Sequence, residues 1–191
     1  MAQLESFDHL PFMEKESYIQ LAAREFQRMK SLADGAIAQV TPDQFFTAPS
    51  EGDNSIAIIV KHVGGNLLSR WTDFLTTDGE KPGRNRDNEF EIHAEDTQPA
   101  LMQQWEMGWS ALFSALEPLT DKDLDQTIRI RGEPLSVLQA INRQLTHYSY
   151  HVGQIVYVAK HYAGNSWLTL SIPRGLSAQF NANPKKYVER A

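Results

Sequence analysis

The decapeptide THYSYHVGQI, residues 146–155, lies within the longest helical pattern of the chain, which predicts a helix from about residue 137 to 162. Residues four apart lie one above the other on a helix, so His147 and His151 can direct two imidazoles at one point. The zinc-protease motif places Glu directly after the first His as general base, but Tyr148 holds that position. The pair is therefore a candidate metal site without that protease chemistry. Taken alone, however, such a pair is more commonly explained by packing or hydrogen bonding.

Length and composition predict one domain over residues 1–191, because 191 residues with 41% hydrophobic content can bury one sizeable core. The formal net charge is −6, and no basic run exceeds Lys185-Lys186, which argues against nucleic acid or an anionic membrane surface as a partner. The chain contains no cysteine, so a metal would be held by nitrogen and oxygen. Without a signal-peptide pattern or an apolar run of about 20 residues, we expect a cytoplasmic location.

Four stretches carry apolar residues at helical spacing and predict amphipathic helices. They run from about residue 13 to 40, 55 to 76, 97 to 118 and 137 to 162. Residues 127–131 predict an extended segment or small hairpin, and residues 167–175 predict an extended C-terminal tail. Four such helices predict an all-α four-helix bundle, in which metal sites are built from side chains that project inward from facing helices.

Polar side chains border the apolar face of two of these helices. His62 and Asn66 form one file on the second helix, and His147, His151 and Gln154 form another on the fourth. Asn66 and Gln154 could orient metal ligands or bind a ligand molecule, but an ordinary amide at the edge of a bundle is the slightly favoured interpretation for each.

Gly64 and Gly65 lie in the middle of the second predicted helix. They predict close packing against another backbone, with a local helix irregularity as the alternative. Tyr148 and Tyr150 are expected to pack in the core. The polar stretch 77–98 predicts a loop that is either a lid over a site or a solvated connection.

The motifs IIVKHVGGN at 58–66 and HYSYHVGQI at 147–155 resemble those of the DinB/YfiT-like family of proposed metalloenzymes. Three segments are similar to one uncharacterised branch of that family: WTDFLTTDGEK at 71–81, EFE at 89–91 and SIPRG at 171–175. The resemblance covers nearly the whole chain. It implies an up-down-down-up four-helix bundle, often dimeric, with a divalent metal held by His62, His147 and His151.

The resemblance also implies a range of activities. Characterised members include S-transferases and isomerases that depend on a low-molecular-weight thiol, and others have been proposed as metal-dependent hydrolases. Three neutral imidazoles leave one position of Zn²⁺ open, as in catalytic zinc sites. Water bound there has a pKa of ~7, and a coordinated thiol is deprotonated. Zinc is our first expectation, although Ni²⁺, Fe²⁺, Co²⁺ and Mn²⁺ accept the same ligands.

Three functional hypotheses follow. In the first, the chain is a metal-dependent transferase or hydrolase acting on a small molecule or thiol, with catalytic residues unknown and a homodimer as its expected state. In the second, it is a non-catalytic metal- or ligand-binding bundle, since no carboxylate base is evident beside the histidines. In the third, all three histidines are packing residues.

Overall fold

The computed structural model describes residues 16–182, which are mostly helical (62%) and contain six α-helices and one two-stranded antiparallel sheet. The elements are α1 (Tyr18–Ile37), α2 (Pro42–Phe46), α3 (Ile56–Trp71), α4 (Gln98–Leu116), β1 (Thr127–Ile130), β2 (Glu133–Ser136), α5 (Val137–Ala163) and α6 (Ser177–Ala182). Met13, near the predicted start of the first helix, lies outside the described residues. None of the helices within 16–182 is long and apolar enough to cross a membrane.

The four long helices begin where Ser or Thr caps the first turn. The capping residues are Ser17, Ser55, Thr97 and Ser136, and each side-chain oxygen accepts a backbone N–H three residues further on. Such a cap stabilises a helix by about 1 kcal/mol relative to alanine.

Helix α3 ends at Trp71, several residues before the predicted end near 76. Thr72 is extended, and Asp73 has φ +49°, a left-handed conformation that stops the helix. Phe74 remains buried, with its ring 4.7 Å from that of Trp71. The apolar pattern therefore continues beyond the helix, because a turn returns the chain to the same core.

The core is an aromatic cluster between the long helices. Helix α3 packs against α4, α1 packs against α5, and α3 also contacts α5. The Phe26 ring lies about 6 Å from those of Trp71 and Tyr148, and the Trp105 and Trp109 rings are 5.4 Å apart. Both tryptophans of α4 are fully buried.

Glycines allow α3 and α4 to approach closely. A Cβ atom at Gly64 would lie 3.4 Å from the backbone nitrogen of Trp105, and one at Gly108 would lie 2.8 Å from Leu67 Cβ. Helix α3 continues unbroken through its glycine pair. Close packing against another backbone is therefore confirmed at Gly64, whereas Gly65 faces the side chain of Glu89, and the alternative of a helix irregularity is wrong.

The segment that begins at residue 127 forms a hairpin of β1 and β2, in which Ile128 pairs with Leu135. Its turn residues Arg131 and Gly132 have φ +56° and +77°, as a tight hairpin turn requires. The carboxylate of Asp78 accepts both of their backbone N–H groups, at 2.8 and 2.7 Å. This contact ties the hairpin to the chain that follows α3. Beyond α5, residues 167–176 form no strand, and the last element of the described chain is α6.

Candidate metal centre

The fold brings His62 of α3 together with His147 and His151 of α5. One ligand atom from each imidazole lies within 4.8 Å of the other two. The ring centroids are 5.5 Å apart for His62 and His147, 5.0 Å for His62 and His151, and 4.8 Å for the pair on α5. His62 and His151 are buried. The three histidines therefore form a group that could hold a metal ion.

The hydrogen bonds of His62 fix its tautomer. Its Nδ1 lies 2.8 Å from Oε2 of Glu89, and the same carboxylate accepts two bonds from Arg84, at 2.7 and 2.8 Å. Burial alone would raise the pKa of Glu89, but these hydrogen bonds and charges hold it below its ordinary value. An ionised carboxylate only accepts hydrogen bonds, so Nδ1 of His62 carries the proton. Its Nε2 lone pair is left free for a metal, as in carboxylate–histidine–metal arrangements.

His151 has the same arrangement with an amide in place of the carboxylate. Its Nδ1 lies 2.9 Å from Oε1 of Gln154, one helical turn further along α5. Because that oxygen is an acceptor, Nδ1 donates and Nε2 presents a lone pair. This Nε2 is buried and has no hydrogen-bond partner. A buried acceptor without a partner costs about 1–3 kcal/mol, which metal coordination would offset.

Both imidazoles of α5 are in the protonation state that a metal requires. Burial, reinforced by the neighbouring charges of His151 and His62, lowers the pKa of His147 to about 3. Burial also lowers the pKa of His151 to about 4, although the hydrogen bond with Gln154 opposes the shift. Both rings are thus neutral at pH 7, and no proton has to leave before an ion binds.

We expect the metal-free protein to lose stability on mild acidification. In the unfolded chain His147 and His151 regain their ordinary pKa of 6.5, whereas in the folded chain these pKa values are about 3 and 4. At a pH between the folded and the unfolded pKa values, the unfolded state binds more protons than the folded state does. The free energy of unfolding therefore falls as the pH falls. Urea unfolding from about pH 7 to about pH 5, above the range where most carboxylates titrate, measures this slope.

The double variant His147→Ala/His151→Ala is the matching control for the acid slope. It removes both groups, and its unfolding free energy should depend less on pH over the same interval. A variant slope as steep as that of the wild-type protein would contradict the assignment.

A pocket of about 390 Å³ opens beside the histidines. It is lined by His62, Asn66, Arg70, Arg84, Arg86, Arg131, Arg143, Gln144, Thr146, His147 and Tyr150. Five of these residues are arginines, and among the described lining residues none is acidic. The pocket is therefore strongly basic, although the chain as a whole carries a net charge of −6.

The predicted neighbours of the histidines have different surroundings. Asn66 is buried beside the pocket, and its Oδ1 accepts the hydroxyl proton of Tyr148 at 3.0 Å, while Gln154 bonds to His151. Tyr148 is fully buried, as expected. The core prediction for Tyr150 is wrong, because it is 53% exposed and its ring lies 4.1 Å from that of His151. On the helix it points to the pocket mouth rather than the core.

Sequence reasoning missed the carboxylate beside the histidines. Glu89 lies in a 3-10 turn of the 77–98 loop, where the Phe90 ring packs 4.8 Å from that of His62. The loop is held against α3 by Lys61, whose Nζ lies 2.6 Å from Asp96 and 2.8 Å from the carbonyl oxygen of Glu91. The loop therefore supplies part of the wall of the site. The signals in the sequence were the unusual length of this loop and its EFE segment at 89–91, neither of which indicates a role for Glu89.

A mostly helical chain with three converging histidines on two helices defines a candidate metal-binding helical protein. The chain belongs to a family described as "Protein of unknown function (DUF1572)", whose model matches residues 13–176. A crystal structure described as that of "the conserved protein of locus from Enterococcus faecalis" is similar, with a TM-score of 0.58 and 16% identity over 78% of this chain and 99% of that one. This likeness shows a shared fold. Comparison with curated protein sequences finds no significant match.

Proposed function

We propose that this chain is a divalent-metal-dependent enzyme of the DinB/YfiT-like type, with α1, α3, α4 and α5 as an up-down-down-up bundle. His62, His147 and His151 would be the metal ligands, and zinc is the preferred ion ahead of nickel, iron, cobalt and manganese. The observation that carries the proposal is the buried Nε2 of His151, which lacks a hydrogen-bond partner beside two further imidazoles. When bound, the ion acts as a Lewis acid and lowers the pKa of a water or thiol at its open position.

The surrounding residues orient the ligands. Glu89 would hold the His62 ring in the tautomer that presents Nε2, and Gln154 would do the same for His151. Arg84 occupies both carboxylate oxygens of Glu89 and helps to keep it ionised, so this carboxylate is poorly suited to accept a proton from a nucleophile. Its role is therefore positioning.

The reaction we favour is transfer to or from a low-molecular-weight thiol, with hydrolysis as the runner-up. No acidic side chain is found among the described pocket residues. A thiol would lose its proton to the solvent on coordination without such a base. Bound water would ionise as well, but hydrolysis also needs a group that protonates the leaving alkoxide or amine. The same lack of a free carboxylate supports a second candidate, a metal- or ligand-binding protein without catalysis.

The proposal also includes a homodimer in the cytoplasm that acts on a small molecule and has neither nucleic acid nor a membrane as partner. The net charge of −6 supports the exclusion of nucleic acid. Sedimentation equilibrium of the purified chain tests the dimer, and a monomer mass at all concentrations would contradict it.

The enzyme proposal is tested by metal analysis followed by turnover assays on the same sample. We expect close to one divalent ion per chain, thiol conjugation or ester and amide hydrolysis in a broad substrate panel, and loss of that turnover after chelation. Full metal occupancy with no turnover would support the non-catalytic candidate. Absence of any bound metal, with no affinity on titration, would contradict both.

A further inference from the structure

The arginines of the pocket fall into two groups. Arg70 and Arg84 are the inner ones, and both side chains are only 6% exposed. Arg70 pairs with Glu80 at 3.0 Å, and Arg84 pairs with Glu89 at 2.7 Å. These ion pairs are the expected compensation for buried guanidinium groups. The inner arginines therefore have structural partners within the protein, although Nε of Arg70 is buried without a hydrogen-bond acceptor.

The outer arginines are less well compensated. Arg131 shares Glu80 with Arg70, at 3.0 Å, while its side chain is 55% exposed. Arg86 lies 4.9 Å above the Phe90 ring, and no ion pair is found for it or for Arg143 within residues 16–182. Both side chains are exposed at the pocket. The five guanidinium groups of the pocket are thus balanced by two carboxylates, those of Glu80 and Glu89. The positive charge exceeds the negative charge there.

Helical geometry places this positive charge next to the candidate ligands. Arg143, His147 and His151 follow one another at intervals of four on α5, so they lie on one face, with Arg143 about 6 Å along the axis from His147. Arg86 comes from the loop and lines the same pocket. The uncompensated cations therefore border the same pocket as the imidazoles of His62 and His147, two of the three candidate ligands.

We propose that this pocket binds the anionic group of the substrate, a carboxylate or a phosphate, with Arg86 and Arg143 as its direct contacts and Arg131 beside them. This inference rests on the proposed function in placing the anion next to a bound metal ion. Planar guanidinium groups make paired hydrogen bonds to carboxylate and phosphate oxygens. A concave pocket of about 390 Å³ fits a small molecule rather than a nucleic acid backbone.

The test is calorimetric titration of the full chain with inorganic phosphate and, separately, with succinate. We expect Arg143→Gln and Arg86→Gln each to weaken binding of the preferred anion roughly 10-fold, because each removes a charge-assisted contact. Lys160→Gln is the matched control: it removes the same charge from an exposed position of α5, about 25 Å along the helix from Arg143. It should bind as the wild-type protein does.

Both metal-loaded and metal-stripped protein are titrated, which separates this inference from the metal proposal. Tighter binding of phosphate identifies a phosphate group, and tighter binding of succinate identifies a carboxylate; either result supports the inference. It is overturned if neither anion binds the wild-type protein in either state, or if Lys160→Gln weakens binding as much as Arg143→Gln. A chain that binds an anion but no metal would refute the metal proposal alone, and one that binds metal but no anion would refute only the pocket assignment.

Discussion

Alanine in place of His62, His147 and His151 together is expected to abolish divalent metal binding. The variant removes all three imidazoles of the only three-residue group that could hold a metal ion in the part of the chain that the structure describes. An ion at 100 times its dissociation constant stabilises a native protein by about 2.7 kcal/mol. The wild-type protein should therefore melt higher when metal is added, and the triple variant should show no such shift. Elemental analysis after dialysis measures the occupancy directly.

His161→Ala is the control for the triple variant, because His161 is an exposed residue in the last turn of α5 and does not belong to the group. It should retain the wild-type metal content and the full shift in melting temperature. The single variant His147→Ala should also lose any turnover found in the wild-type protein. A folded triple variant that still holds one ion per chain would place the metal elsewhere.

Gly65→Ala is expected to weaken metal binding about 10- to 100-fold without touching a ligand. A Cβ atom at Gly65 would overlap Oε1 of Glu89 and lie 3.0 Å from its carboxyl carbon. The carboxylate is the end of a flexible side chain, so it moves away and the helix backbone stays in place. His62 then loses the acceptor that sets its tautomer. Calorimetric titration of the stripped variant with zinc measures the loss.

The stability of this variant separates the effect from general unfolding. Replacing a glycine within a helix by alanine adds about 1 kcal/mol of helix propensity, which offsets the lost hydrogen bond between His62 and Glu89. The matched control is Gly153→Ala, also in mid-helix, where nothing lies within 4 Å of the new Cβ atom. It should bind metal normally and gain stability. Equal zinc affinities for the two variants would refute the role of Gly65.

Local sequence pattern predicted the long helices because each buries one face at helical spacing. The end of α3 was misplaced, because Phe74 continued the apolar pattern through a turn. The mostly helical fold was therefore predictable. The separation of the ligand atoms was not, since it depends on how closely Gly64 and Gly108 let α3 approach α4 and how α3 meets α5.

Some residues of the candidate site could likewise be predicted from the sequence, and others could not. His147 and His151 follow from spacing on one helix, whereas His62 was added by resemblance to a family. Glu89 and the pocket arginines could not be predicted, because they come from a loop, a hairpin and two helices whose meeting has no period in the sequence. Tyr150 was misassigned because an aromatic side chain at a pocket mouth has the same composition signal as one in the core.

The buried hydroxyl of Tyr148 limits how far the candidate site would rearrange when a metal ion binds. It accepts the indole proton of Trp71 at 3.1 Å and donates to Asn66, which joins α5 to α3 inside the core. Tyr148 is the neighbour of His147, and Asn66 lies one turn from His62. The distance between the two ligand-bearing helices is thus set when the protein folds. Preorganisation of this kind favours tight binding with little rearrangement, because the ordering entropy is not lost again when the ion enters.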